Sequence, residues 1–170
     1  ISNCQEGLAR VTLGNFLIKR VVYEIQEELP NIKNFGTLSP IPGFRDWFLL
    51  LDKEKIRNIL GDETEKISFL RSSDLKIGDT RILANKNQIT KLVLHYLMNE
   101  KNKKGLPIND VCRFHLGNGA IIDDIVINAN VSEVGFNRSF GVMVNYLYEL
   151  KNIEKNHEEY INDKKIIVSE

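Results

Sequence analysis

The chain has 170 residues, enough for one domain with a sizeable core. Its 42% hydrophobic and 27% charged residues are ordinary for a globular protein, and 23 basic residues offset 23 acidic ones, which argues against a general nucleic-acid binder carried by basic excess. No apolar run approaches a membrane span, and Cys4 and Cys112 stand in unrelated contexts without CxxC or Cys/His ligand spacing, so a zinc site is not expected and a reduced, intracellular protein is.

The chain begins at Ile1 with no methionine and no signal-peptide pattern, and stops at "IIVSE"; it reads as a piece of a longer protein. "QEGLARVTLG" holds Gly7 and Gly14 in a loop or first helical turn. In "NFLIKRVVYEIQEEL", Leu17, Val21, Ile25 and Leu29 recur every fourth residue beside Ile18 and Val22, the apolar stripe of a helix that Pro30 ends. "NIKNFGTL" is extended and runs into Ser39-Pro40, and Leu38–Pro42 reads as a stiff non-helical segment. "FRDWFLLLDKEKIRNIL" predicts helix in one or two pieces, and "DETEKISFL" opens with acids suited to a helix N-terminus. "NQITKLVLHYLMNEK" places Ile89, Leu92, Val93, Tyr96 and Leu97 on one helical face. "KNKKGLP" is a polar turn and "NDVCRFHL" fits one or two helical turns. "NGAIIDDIVINAN" is the best strand, β-branched and bounded by turn residues. "SFGVMVNYLYEL" fits helix or buried strand, and "NIEKNHEEYINDKK" reads as a solvated connection. Helices outnumber strands and separate them, so an α/β or α+β layer architecture is expected.

Three places could carry chemistry. The loop feeding the first helix could present backbone N–H groups to an anion, with Arg10 adding charge, or be a plain turn. His115 in "FHLGNG" could trade protons near neutral pH or be a hydrogen-bonded structural histidine. Ser39 before Pro40 could initiate a turn or carry a reactive hydroxyl, although no Gly-x-Ser-x-Gly elbow surrounds it. His95 and His157 read as structural or solvated, and Tyr146 and Tyr148 as core or pocket-lining. Adjacent strand residues point to opposite faces, so Asp123 and Asp124 are not expected to share a metal ion.

Together, "QEGLARVTLGNFLIKRVV", "FGTLSPIPGFRDW", "FHLGNGA" and "GVMVNYLYEL" stand in the order and spacing of malonyl-CoA decarboxylase. The chain resembles that family from Ile1 to the "KII" near its C-terminus, and "LSPIPGF" is the most specific stretch. The resemblance implies an α/β (α+β), GNAT-like acyl-CoA-binding fold with a mixed sheet flanked by helices, incomplete at its N-terminal side. It implies that residues 1–170 are the C-terminal portion of the catalytic domain, without the N-terminal helical domain. Ser39 matches the family's catalytic serine, the proton acceptor, and His115 its catalytic histidine, the proton donor. Ala9, Arg10, Val11, Thr12, Leu13, Gly14 and Asn15 match the segment that binds malonyl-CoA, and Tyr148 matches an active-site tyrosine. Three positions depart from the pattern: Thr12 stands for a glutamate, Arg10 for a glycine and Gly117 for a polar residue.

The implied reaction is decarboxylation of malonyl-CoA to acetyl-CoA and CO2 through a thioester enolate, within fatty acid metabolism. The implied partners are malonyl-CoA and acetyl-CoA, with no metal, no cofactor beyond the CoA of the substrate, no nucleic acid and no membrane. A homo-oligomer would form through the N-terminal domain, in bacterial cytoplasm, the mitochondrial matrix or the peroxisome. A GNAT-type acyltransferase and an inactive CoA-binding fragment are the alternatives. An acyltransferase would have no need of Ser39 with His115.

Overall fold

A computed structural model describes residues 13–169. Helix α1 (Leu13–Glu28) follows the apolar stripe and gives way at Pro30. Only part of that stripe is covered: Ile18 and Val22 are buried, whereas Val21 and Leu29 are largely exposed. Strand β1 (Phe35–Pro40) comes next, and helices α2 (Phe44–Leu50) and α3 (Lys53–Leu60) take the two-piece form of the next stretch. The break between them is made by Asp52, whose side chain accepts from the Lys55 N–H and caps α3. "DETEKISFL" winds as 3₁₀ turns over Gly61–Arg71. Short α4 (Thr80–Ala84) leads into α5 (Lys86–Met98), whose buried face holds the predicted Ile89, Leu92, Val93, Tyr96 and Leu97. After the polar turn come α6 (Asp110–Gly117), β2 (Ile121–Val126), α7 (Glu133–Ser139), β3 (Met143–Tyr148) and α8 (Ile153–Asp163).

The sheet order is β1-β3-β2, with both pairings antiparallel. The sheet becomes mixed at its β2 edge, where Ile122 bridges Val168 in parallel and the C-terminal segment bonds to both Ile122 backbone groups. A bulge between Ile122 and Asp124 inserts Asp123, so Ile122 and Ile125 both reach the core although three residues apart. Asp123 then accepts hydrogen bonds from Asn145 and Ser169, while Asp124 accepts from the Ile125 N–H.

"SFGVMVNYLYEL" resolves into the end of α7 and strand β3, whose Val144, Tyr146 and Tyr148 alternate into the core. The expected solvated connection "NIEKNHEEYINDKK" is instead helix α8. Ile153, Asn156 and Tyr160 are buried at spacings of three and four. The helical period is present, but it carries only two apolar residues, with an asparagine in the third place. Asn156 is buried because its Nδ2 donates to the Gly119 carbonyl at 3.2 Å.

The main core lies where α2, α5 and α7 meet around Phe44, Phe48, Phe140 and Leu92. Trp47 stacks on Phe44 and on the His95 ring, so the chain's single tryptophan is a packing residue and His95 is structural. None of the described helices is long and apolar enough to cross a membrane.

Candidate active site

Alternation on β1 sends Thr37 and Ser39 to one sheet face and exposes Leu38 on the other. The register pairs Phe35 with Tyr148, Thr37 with Tyr146 and Ser39 with Val144. Two hydroxyl side chains of β1 and two tyrosines of β3 therefore share that face. Helix α6 packs over it and brings in His115.

Ser39 Oγ lies 2.9 Å from His115 Nε2 and donates to Thr37 Oγ1 at 3.2 Å. His115 Nδ1 lies 2.7 Å from the Tyr148 hydroxyl, and 3.5 Å from Thr37 Oγ1. The Tyr146 ring lies nearly parallel to the imidazole with centroids 4.3 Å apart, and Phe114 packs edge-on to it. Ser39 and His115 are each only 6% exposed, and that small accessible part opens into a cavity of about 540 Å³ lined also by Thr37, Leu38, Pro40, Asp110, Val111 and Phe114. A second cavity of about 520 Å³ lies between α1 and β1, lined by Val21, Val22, Ile25, Phe35, Thr37 and Tyr148 among others. Thr37 borders both.

The Ser39–His115 distance is held from outside the pair. The turn after Ser39 carries Ile41, fully buried, and the Pro42 carbonyl accepts from both Tyr96 Oη at 3.2 Å and Asn109 Nδ2 at 2.9 Å. Asn109 is also the N-cap of α6, its Oδ1 accepting from the Cys112 N–H at 2.8 Å. One amide thus ties the chain leaving Ser39 to the start of the helix bearing His115. The other end of α6 is closed by Gly119 in the left-handed region at φ 80°, and His157 Nδ1 donates to the Gly117 carbonyl at 2.6 Å. His157 is structural.

No Asp or Glu among the described residues hydrogen-bonds His115; its partners are a serine, a threonine and a phenol. Burial pushes its pKa down to about 4 from an ordinary 6.5 and pushes the Tyr148 phenol well upward. Near neutrality the site therefore holds a neutral imidazole, able to give or take one proton, beside a serine hydroxyl and an intact phenol. This is unlike a serine hydrolase, in which a carboxylate orients the imidazole and stabilises its cation.

The depressed pKa fixes the sign of a pH effect. The unfolded chain takes up the proton first as pH falls, so this contribution to stability is complete above about pH 6.5 and is lost progressively towards pH 4. The loss expected from His115 is about 3 kcal/mol. Urea unfolding at pH 7 and near pH 4 measures it. The difference between the two pH values is expected to shrink by that amount in His115→Gln, and an unchanged difference would refute the assignment.

The structure brings Ser39, His115 and Tyr148 together. Ala9, Arg10, Val11 and Thr12 lie outside the described residues, and Leu13, Gly14 and Asn15 form the first turn of α1. Two neighbours of the histidine are not marked for the site by the sequence. Thr37 stands two residues before Ser39, a spacing that places it on the same strand face, and Tyr146 stands two before Tyr148 for the same reason. Among the described residues no cluster of three or more His, Cys, Asp or Glu is placed to hold a metal ion.

Comparison with known proteins places these features in a family context. The family model described as malonyl-CoA decarboxylase C-terminal domain matches residues 1–170. The mitochondrial malonyl-CoA decarboxylase of Mus musculus is 39% identical over 189 residues, covering all of this chain and 38% of the relative. That of Anser anser anser is 38% identical, covering all of this chain and 37% of the relative. Among solved structures, malonyl-CoA decarboxylase from Rhodopseudomonas palustris superposes with a TM-score of 0.84 at 37% identity, over 99% of this chain and 39% of that one. The enzyme from Cupriavidus metallidurans gives 0.82 at 38% identity, over 99% of this chain and 45% of that one. The chain thus spans less than half the length of the relatives it matches.

Proposed function

The chain belongs to the malonyl-CoA decarboxylase family, matching its C-terminal domain, and on that premise we propose that its site decarboxylates malonyl-CoA to acetyl-CoA and CO2. The observation that carries the reading is the Ser39–His115 contact of 2.9 Å at the wall of a cavity, with no carboxylate of the described residues on the imidazole. Residues 1–170 are read as the later part of the catalytic domain, with residues 9–15 binding malonyl-CoA and Arg10–Asn15 among them holding the CoA pyrophosphate through backbone N–H groups.

Loss of CO2 leaves an electron pair on the carbon beside the thioester, as an enolate, so the thioester is itself the electron sink and the scheme calls on no further cofactor. Catalysis then asks for three things. The malonyl carboxylate must be held with its C–C bond aligned to the thioester π system, charge developing on the thioester oxygen must meet hydrogen-bond donors, and the carbon must be protonated. In this reading the Ser39 hydroxyl donates to the malonyl carboxylate, and His115 gives its one N–H proton to the carbon and regains it from water, so that each turnover takes up one solvent proton. The apolar flanks of the cavity, Leu38, Pro40, Val111 and Phe114, favour a carboxylate losing its charge as CO2 over one keeping it. The fixed turn at Ile41–Gly43 keeps the hydroxyl from wandering. An intracellular setting accords with the mitochondrial relatives.

The test is release of labelled CO2 from malonyl-CoA carrying the label in its free carboxyl. Ser39→Ala is expected to lower the rate on the order of 10²-fold with folding intact. Loss of folding would make Ser39 a turn residue only. Acetyl transfer to an amine without CO2 would make the domain an acyltransferase, and CoA binding without either reaction a non-catalytic domain.

A further inference from the structure

The hydrogen bonds of the site leave one question that decides how Ser39 works: which imidazole nitrogen carries the hydrogen. Both nitrogens are occupied, Nε2 by Ser39 Oγ at 2.9 Å and Nδ1 by the Tyr148 hydroxyl at 2.7 Å. A neutral imidazole has one N–H, so it donates at one nitrogen and accepts at the other. A serine hydroxyl can serve either end equally well. A phenol cannot, because it is a far better donor than acceptor, and the unprotonated imidazole nitrogen is among the strongest neutral acceptors in a protein.

We propose that Tyr148 is a positioning residue that donates its phenolic hydrogen to His115 Nδ1, so that the hydrogen-bond chain runs in one direction, from Tyr148 through His115 to Ser39, and ends in the serine hydrogen that Thr37 Oγ1 accepts at the cavity wall. This deepens the decarboxylase reading and rests on it for the identity of the final acceptor. Three observations support the direction. Tyr148 is 2% exposed, and among the described residues Nδ1 is the partner its hydroxyl has; turned around, the same contact would leave a buried phenolic hydrogen needing another acceptor, at a cost buried donors seldom bear. Burial keeps that phenol protonated at neutral pH. Ser39 already donates onward to Thr37 Oγ1 at 3.2 Å, which is the arrangement expected of a hydroxyl that receives from Nε2–H.

The direction has a chemical consequence. A serine that accepts from Nε2–H is not deprotonated by the imidazole, and the hydrogen it gives to Thr37 Oγ1 can turn to a carboxylate entering the cavity. It is a donor to substrate, the reverse of a hydrolase nucleophile, whose hydrogen points at the histidine. The same tautomer turns the only N–H of His115 towards Ser39 and the cavity wall, where a carbanion formed beside the thioester would need a proton. The Tyr146 ring stacked on the imidazole keeps it from turning over and exchanging its two nitrogens.

The experiment is a long-range proton–nitrogen NMR spectrum of the whole chain with ¹⁵N-labelled histidine, at pH 7 without substrate. The His115 signals are identified by their loss in His115→Gln. The expected pattern is a hydrogen-bearing Nε2 and a downfield, unprotonated Nδ1. In Tyr148→Phe the Nδ1 signal is expected to shift and the tautomers to mix, with the His95 and His157 signals unmoved. A hydrogen on Nδ1 in the wild type would overturn the proposal, and so would an unshifted His115 in a folded Tyr148→Phe. The wild-type spectrum decides even if that variant does not fold, and it does so independently of whether CO2 is released.

Discussion

Replacing His115 by glutamine is expected to slow CO2 release from malonyl-CoA on the order of 10²-fold or more while leaving the KM for malonyl-CoA little changed. Glutamine is chosen because its amide nitrogen can approach the position of Nε2, 2.9 Å from Ser39 Oγ, and so preserve the hydrogen bond that holds the serine. It cannot deliver a proton in the reaction. The variant thus separates holding Ser39 from protonating the product carbon. Packing should survive the change, because the imidazole lies between the Tyr146 ring and Phe114 in a space an amide of similar length can occupy. A loss confined to kcat assigns His115 to the chemical step, and a rise confined to KM would move it to substrate binding. A rate near that of the wild type would end its role as proton donor. The same variant removes the buried imidazole whose pKa lies near 4, so the chemical and the acid-stability readings are checked on one protein.

The largest effect on stability is expected at Gly119→Ala. Gly119 has φ 80°, and a Cβ placed there would lie 2.1 Å from the Ile153 carbonyl oxygen and 2.9 Å from its carbon. These are backbone atoms at the first residue of α8 and cannot swing aside as a side-chain tip would. The left-handed conformation alone costs an alanine about 1–2 kcal/mol, and moving the start of α8 adds a penalty of the size seen on overpacking, about 1–3 kcal/mol. We therefore expect a loss on the order of 3 kcal/mol, read as a lower urea midpoint with an unchanged slope. Displacing α8 also weakens the bonds from Asn156 to the Gly119 carbonyl and from His157 to the Gly117 carbonyl, which hold the end of the helix that carries His115. Activity should fall with stability even though Gly119 does not line the cavity beside Ser39 and His115. A loss below about 0.5 kcal/mol, the range of an ordinary surface substitution, would mean that α8 does not sit against this turn.

Local rules frame the site, whereas Ser39, His115 and Tyr148 are marked by the family resemblance and are left open by those rules. Proline after Ser39 forces an extended backbone, and that backbone is β1. "NDVCRFHL" fits helical turns and is α6, while the cap that Asn109 provides is seen only in the structure. What remained hidden depends on pairing between distant segments. Nothing in "GTLSP" indicates that Thr37 meets a histidine 78 residues away, and the spacing in "NYLYEL" does not by itself distinguish the tyrosine that stacks on the imidazole from the one that bonds to it, although the resemblance singles out Tyr148. The β1–β3 register decides both. Helix α8 was hidden for another reason. Its buried face includes Asn156, which is interior only because a carbonyl of another segment receives its hydrogen bond, and a polar residue at a core position looks like solvent exposure until that partner is known. Helix α1 misleads in the opposite direction. Its apolar stripe is genuine, but Val21 and Ile25 line a cavity beside β1 instead of packing fully against the sheet.

Thr12, which stands where the family resemblance implies a glutamate, lies outside the described residues. Within the described residues the polar network around His115 is built from Ser39, Thr37 and Tyr148. On the proposed reading such a site meets the charge of the substrate carboxylate with neutral hydrogen-bond donors and no paired cation among the described residues. Catalysis in it should depend on geometry, and so on the supports at Pro42, Asn109 and Gly119, as much as on the reacting groups.

The most direct measurement is release of labelled CO2 from malonyl-CoA by the wild-type protein, beside folded Ser39→Ala and His115→Gln. The predicted result is CO2 and acetyl-CoA from the wild type and a loss on the order of 10²-fold in each variant. Binding of malonyl-CoA by the wild type without CO2 release, or release near the wild-type rate from both folded variants, would contradict the assignment of this site.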